Sequence, residues 1–288
     1  MKKYFSLVLF AHSIFALPFA LIGFFLGVTT TANPFHWYLL VLVLLCMVFA
    51  RNAAMAFNRF LDRDIDAKNP RTVMRDIPAG KISSNEALIF VVVNCLLFLI
   101  TTAFINRLCL YLAPVALFVI LFYSYTKRFT ALCHLVLGLG LSLAPIGAYI
   151  AVTGAFNVVP VLYSFAVLFW VSGFDIIYAL QDEDFDRAEN LHSIPAALGI
   201  KNALRLSVVL HICSALCVII PVFLVHFSFI YYIGVAFFCF MLTYQHLLVK
   251  PTDISKVNRA FATTNGFASV IFALCFLIDA LLRTNFNF

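Results

Sequence analysis

The chain is poor in charge. Only 11% of its 288 residues are Asp, Glu, Lys or Arg, where an ordinary soluble domain carries about a quarter. With 64% hydrophobic residues and a mean hydropathy of +1.03, the apolar excess cannot be hidden in one core and has to face lipid. The sequence also lacks strict apolar–polar alternation, which argues against a transmembrane β-barrel and leaves helices to satisfy the backbone in lipid. There is no Gly/Ser linker and no low-complexity stretch, so residues 1–288 read as one membrane domain. The eight cysteines contain no CxxC pair, and no HExxH pattern occurs. The cysteines therefore read as small apolar packing residues rather than a metal centre or disulfide framework.

What is present is a series of apolar runs, each near the roughly 20 residues that a spanning helix needs. About nine such spans fit, near 9–28, 37–57, 87–105, 109–125, 132–152, 158–180, 203–225, 229–248 and 260–282. The expected fold class is an all-α integral membrane protein with these helices in a bundle or barrel. The first run has the length of a retained helix and no convincing cleavage site after it. The run at 109–125 is short and carries Pro114. With the N-terminus inside, nearly all of the 19 basic residues fall on the inner side. Only Arg107 and Arg283 lie outside, and Arg51 sits within a span. The expected location is a bacterial-type inner (cytoplasmic) membrane, multi-pass, with the N-terminus cytoplasmic. The net charge of +6 thus concerns topology, anionic lipid and an anionic ligand, and gives no reason to invoke nucleic acid. The 33 phenylalanines read as packing and lipid-facing residues.

The 13 acidic residues are bunched. Asp62, Asp64, Asp66, Asp76 and Glu86 lie in or beside the loop after the second span. Asp175, Asp182, Glu183, Asp184, Asp186 and Glu189 lie at or after the end of the sixth. Both groups are on the inner side. Asn58, Asp62 and Asp66 are spaced by four, which on a helix is one stripe, and Arg51 extends that stripe into the membrane. Asp175, Tyr178, Asp182 and Asp186 follow i, i+3, i+7, i+11 and again share a face. DRDIDAKN (62–69) and DEDFDRAEN (182–190) resemble each other as an internal duplication would, although short motifs also coincide by chance. Carboxylates stacked this way repel one another unless a cation intervenes. Mg²⁺ takes oxygen ligands and shares them with substrate phosphates, so two facing stripes suit a metal-bound diphosphate. Arg51 is a charge within a membrane helix and reads as functional. His134 and His211, in or near apolar spans, read as packing histidines.

These residues resemble the UbiA superfamily of intramembrane prenyltransferases. Asn58-xxx-Asp62-xxx-Asp66 and Asp175-xx-Tyr178-xxx-Asp182-xxx-Asp186 resemble its two signatures, and His12–Pro18 (HSIFALP) resembles the start of its 4-hydroxybenzoate polyprenyltransferase branch. Asn69-Pro70-Arg71-Thr72 with Arg75, Tyr123 with Lys127-Arg128 and Thr130, and His192-Ser193 with Gly199 resemble further family loops. The run Arg75-Asp76-Ile77-Pro78 departs from the Arg-Pro of many relatives, so no role is assigned to Arg75.

The resemblance implies a helical barrel open laterally to lipid and a Mg²⁺ requirement. It implies a polyprenyl diphosphate donor and a small aromatic acceptor, 4-hydroxybenzoate in the first instance. 1,4-Dihydroxy-6-naphthoate is the alternative, because the first loop is also similar to that of a menaquinone-pathway sub-branch. Asn58, Asp62 and Asp66 would serve one metal; Asp182 and Asp186 would serve the other. Arg71, Lys127 and Arg128, with Arg51, would grip the diphosphate. Tyr178 would face the allylic cation, and Asp175 is a candidate base. Tyr123 and His192 are candidate substrate contacts. No protein partner is evident. An ion-coupled transporter is the competing class, but transporter sites lie near the midplane, whereas these acids crowd helix ends. A non-catalytic quinone-binding protein gives no reason for two metal-spaced stripes.

Overall fold

The computed structural model describes residues 15–31 and 35–283. Helices dominate it, and no β-strand occurs among the described residues. The long helices are α1 (Leu17–Thr31), α2 (Trp37–Leu61), α4 (Ser84–Ala103), α5 (Arg107–Thr126), α6 (Cys133–Thr153), α7 (Val158–Ala179), α9 (Ile194–Ile219), α10 (Phe229–Leu248) and α11 (Asn265–Arg283). Two short helices, α3 (Arg63–Lys68) and α8 (Glu183–Ala188), follow α2 and α7 at the same end of the bundle.

Eight of the helical segments are long and apolar enough to cross a membrane. The ninth expected span is represented by α1, whose 15 residues fall short of about 20. Its expected first part, 9–14, lies outside the described residues, as do His12, Ser13 and Ile14 of the amino-terminal motif. The segment expected at 109–125 is a full 20-residue helix that accommodates Pro114. The helix expected to begin at 203 begins at Ile194, because Gly199 (φ 74°, ψ 160°) inserts a kink rather than a stop. A six-residue π-helical turn, Arg259–Thr264, leads into α11.

Local chemistry explains the ends. Ser83 and Glu86 form a reciprocal capping box at the start of α4. Asn106 Oδ1 accepts the Cys109 N–H and opens α5, and Asn157 Oδ1 accepts the Val159 N–H and opens α7. Gly154, in the left-handed region, closes α6.

The helices pack in a closed order. α2 lies on α4 and α5, α5 on α6, α6 on α7, α7 on α9, α9 on α10, α10 on α11 and α11 on α1, while α1 also lies along α6. Small residues permit the closest approaches, as is usual where lipid supplies no hydrophobic drive between helices. A Cβ on Gly23 would stand 2.0 Å from the Pro145 carbonyl oxygen, which shows how tightly α1 meets α6. The core is aromatic: Trp170, Tyr163, Tyr231, Phe19, Phe238, Phe272 and Phe276 are fully buried. Ile89, Leu96, Ile100, Val115 and Phe118 are exposed, forming an apolar outer surface on α4 and α5 of the kind that lipid covers.

Candidate active site

At the acidic end a cavity of about 260 Å³ opens between α2, α5, α6, α7 and their loops. Its lining includes Asn58, Asp62, Asp66, Arg71, Tyr123, Lys127, Asp175, Tyr178, Asp182 and Asp186. Helix spacing explains the convergence. Asp66 N–H still donates to Asp62 O across the junction of α2 and α3, so the 58–62–66 stripe survives the change of helix. The second stripe crosses a 3₁₀ turn, Leu180–Asp182, between α7 and α8 and still faces the cavity.

Basic side chains knit the two acidic groups together. Lys127 Nζ lies 2.6 Å from Asp62 Oδ2, and Arg128 Nη2 lies 3.3 Å from Asp62 Oδ1. Arg75 Nη1 sits 2.8 and 2.9 Å from the two oxygens of Asp66. Arg71 reaches from the first loop to the second motif. Its Nε donates to Asp182 Oδ1 at 2.9 Å, its Nη2 pairs with Oδ2, and its Nη1 donates to the Tyr178 hydroxyl at 2.9 Å. The guanidinium also lies over the Tyr178 ring, 5.2 Å from the centroid. Asn69 Nδ2 adds a bond to Asp182 Oδ1, and Lys68 pairs with Glu189 at 2.6 Å. Burial pushes the Asp62 carboxyl above its ordinary value, opposed chiefly by Lys127. Burial lowers the Arg71 guanidinium, but its hydrogen bond and charge pairing with Asp182 outweigh this and raise it.

The donors suit a hard cation. Asn58 Nδ2 donates to Asp62 Oδ2 at 3.0 Å, leaving its carbonyl oxygen without a partner among the described residues. Carboxylate and amide oxygens fill the two stripes, with no thiolate or imidazole among them. Among the described residues, no three His, Cys, Asp or Glu side chains converge on one point. Oxygen donors of this kind are what a hard cation such as Mg²⁺ takes, completing its shell with water and phosphate oxygens.

Two expected residues, and one read as packing, stand apart from the rest. Arg51 is half-buried within α2 and is not part of the lining, although it interacts electrostatically with Tyr123, which is. The His192 side chain is exposed and outside the lining. Its backbone serves the loop network instead: its N–H donates to Lys127 O at 2.7 Å, and its carbonyl accepts from Cys133 Sγ. His134 is the main residue that sequence reasoning passed over. It lines the cavity and its Nδ1 lies 2.6 Å from Asp175 Oδ2. Asn69, Thr72, Arg75 and Ser193 also line the cavity. The clue for Arg75 was its nearness to Asp66 in sequence; His134 carried no comparable signal.

Fold and site together define a polytopic membrane enzyme whose polar chemistry is concentrated at one end of a helical bundle. Residues 16–274 match the model of the UbiA prenyltransferase family, and the chain belongs to that family. It is 33% identical over 247 residues to the 4-hydroxybenzoate octaprenyltransferase of Aliivibrio fischeri (strain MJ11), covering 82% of each chain. It is 29% identical over 235 residues to the enzyme of that name from Tolumonas auensis, covering 81% of this chain and 82% of the relative. The apo structure of a UbiA homolog from Aeropyrum pernix K1 superposes with a TM-score of 0.84 at 33% identity, over 93% of this chain and 98% of that one. A UbiA homolog from Archaeoglobus fulgidus bound to DMAPP and Mg²⁺ shares the fold, with a TM-score of 0.76 at 21% identity over 96% and 99% of the two chains.

Proposed function

We propose that this prenyltransferase moves a polyprenyl group from its diphosphate to 4-hydroxybenzoate in a Mg²⁺-dependent reaction, as in ubiquinone synthesis. The observation that carries the reading is the single cavity into which two aspartate stripes, two arginines and a lysine project. Asn58, Asp62 and Asp66 would hold one ion and Asp182 and Asp186 the other. Bound Mg²⁺ neutralises the charge that builds on a leaving diphosphate.

The chain's own groups supply the rest. Arg71, Lys127 and Arg128 bind diphosphate oxygens through charge-assisted hydrogen bonds. Tyr178, whose ring packs against Phe261 with centroids 4.2 Å apart, offers an aromatic face to the allylic cation. Ile65, Leu137, Phe185 and Leu191 line the same cavity and limit the water that could capture that cation. Tyr123 lines the cavity and is suited to a phenolic acceptor, with Arg51 behind it in α2, outside the lining. Asp175 takes the ring proton. The acidic end, where the basic residues gather, is the cytoplasmic side of the inner membrane.

The test uses membranes containing the protein, Mg²⁺ and a radiolabelled polyprenyl diphosphate. 4-Hydroxybenzoate and 1,4-dihydroxy-6-naphthoate are offered in parallel, each with an EDTA control. A labelled lipid from 4-hydroxybenzoate, lost with EDTA and restored by Mg²⁺, is the expected result. Product from the naphthoate alone moves the enzyme to menaquinone synthesis. Undiminished product in EDTA contradicts the metal assignment.

A further inference from the structure

The bond between His134 and Asp175 differs in kind from the other contacts of the site. Asp62, Asp66 and Asp182 are each paired with Lys or Arg. Among the described residues, Asp175 pairs only with an imidazole. The polarity of that contact follows from its other side. His134 Nε2 lies 3.3 Å from the backbone nitrogen of Ile194, which donates to it. Ile194 is the first residue of α9, so this N–H has no partner in its own helix and needs an acceptor. With Nε2 accepting, the neutral ring carries its proton on Nδ1. Nδ1–H then donates to Asp175 Oδ2 at 2.6 Å.

The mount is rigid. The His134 carbonyl accepts the Ser172 hydroxyl of α7 at 3.1 Å. One turn further along α6, a Cβ on Gly138 would stand 2.5 Å from the Leu168 carbonyl oxygen of α7, so the two helices are in close contact here. The histidine is only 4% exposed. Asp175 is more open, its side chain 22% exposed in the cavity wall, and its Oδ1 has no hydrogen-bond partner among the described residues. One carboxylate oxygen is thus fixed by the imidazole while the other faces the cavity without a hydrogen-bond partner among the described residues. Asp182, by contrast, has both oxygens engaged by the Nε/Nη2 edge of Arg71.

We propose that His134 is a positioning residue for proton removal by Asp175, a role that rests on the aromatic prenyl transfer proposed above. A π pair of the acceptor ring forms the new bond to the allylic C1, while the C1–O pair departs with the diphosphate. The ring C–H pair then returns to the ring and the proton passes to Asp175 Oδ1. His134 fixes Oδ2 and so holds Oδ1 toward the ring. It is not itself consumed, since Nδ1 already carries hydrogen and Nε2 is engaged by Ile194.

The experiment separates ionisation from deprotonation. Full-length protein in lipid receives Mg²⁺, labelled polyprenyl diphosphate and the aromatic acceptor that the wild type uses. Aromatic product and total diphosphate release, including prenyl alcohol from water capture, are measured together. His134→Leu is expected to lower aromatic product about a hundredfold while diphosphate release stays within about threefold. Asp175→Asn is expected to show the same partition. His134→Gln, whose amide can donate to Asp175 and accept from Ile194, is expected to recover to within about fivefold of wild type.

Equal loss of both products in the Leu variant overturns the proposal, because a scaffold or metal-site role would produce it. Wild-type behaviour of the Leu variant also overturns it, as does a Gln variant no better than Leu. Should the Leu variant fail to fold, Asp175→Asn and His134→Gln still decide the matter by the same two readouts. A wild type that makes no aromatic product with any acceptor overturns the proposed function and this inference with it. Active wild type with an indifferent His134 overturns this inference alone.

Discussion

The two ends of the bundle both bury an aspartate against an arginine, and they do so differently. At the end opposite the cavity, Asp279 is 0% exposed. Its Oδ1 accepts the Ser228 N–H at 2.5 Å and its Oδ2 accepts Arg283 Nε at 2.7 Å. Arg283 in turn donates to the His226 carbonyl and lies over the Phe227 ring. All of these groups tie the α9–α10 connection to the last turn of α11. None of these residues lines the acidic-end cavity and each ties a connection to a helix, so the group reads as a staple. At the acidic end, Asp62 is nearly as buried, at 1%, but it lines a cavity together with other carboxylates and with Lys127. A buried ion pair therefore says little about function on its own. What separates site from staple is whether the pair borders open volume and whether carboxylates outnumber the roles that packing needs.

Substitutions should sharpen this contrast. The largest effect is expected from Asp62→Ala and Asp182→Ala, which should each cut prenyl transfer by at least about a thousandfold. Their melting temperatures in detergent should stay within a few degrees of wild type. Near-normal turnover in either variant would remove that aspartate from the reacting site. Asp279→Ala should show the reverse pattern. It leaves the half-buried Arg283 and the Ser228 N–H without their partner and should cost about 3 kcal/mol of stability. Thermal unfolding would read that loss, while turnover per folded molecule stays close to wild type. A catalytic defect in folded Asp279→Ala would break the distinction between the two ends. Smaller again is Arg71→Lys, which keeps charge but cannot span both Asp182 oxygens and the Tyr178 hydroxyl. We expect about a tenfold fall in kcat/KM for the prenyl diphosphate from that change. An unchanged value would assign Arg71 to loop architecture alone.

The acidic site was unusually legible. A chain with 11% charged residues that spends its acids in two bunches advertises them, and spacing by four places each bunch on one face. Helix count was legible for the same reason, since long apolar runs have few alternatives in lipid. Legibility failed where meaning depends on a partner distant in sequence. Arg71 and Asp182 are 111 positions apart and meet only because the loop after α3 folds across the cavity mouth. His134 looked like a packing histidine because it begins an apolar helix and matches no ligand pattern. Its role emerges only where α6 meets α7 and the start of α9, which bring Asp175 and the Ile194 N–H to its two nitrogens. His192, singled out by motif for substrate or the loop network, joins that network through its backbone.

By itself the sequence determined the solvent, the helical class, the acidic end and the residue types available there, because composition and helical period are local properties of a chain. The tertiary structure alone decided which carboxylate pairs with which base, which one is held by an imidazole, and which buried aspartate is a staple. Those are contacts between elements far apart in the chain, and hydrogen-bond polarity is set by what lies on the far side of each group.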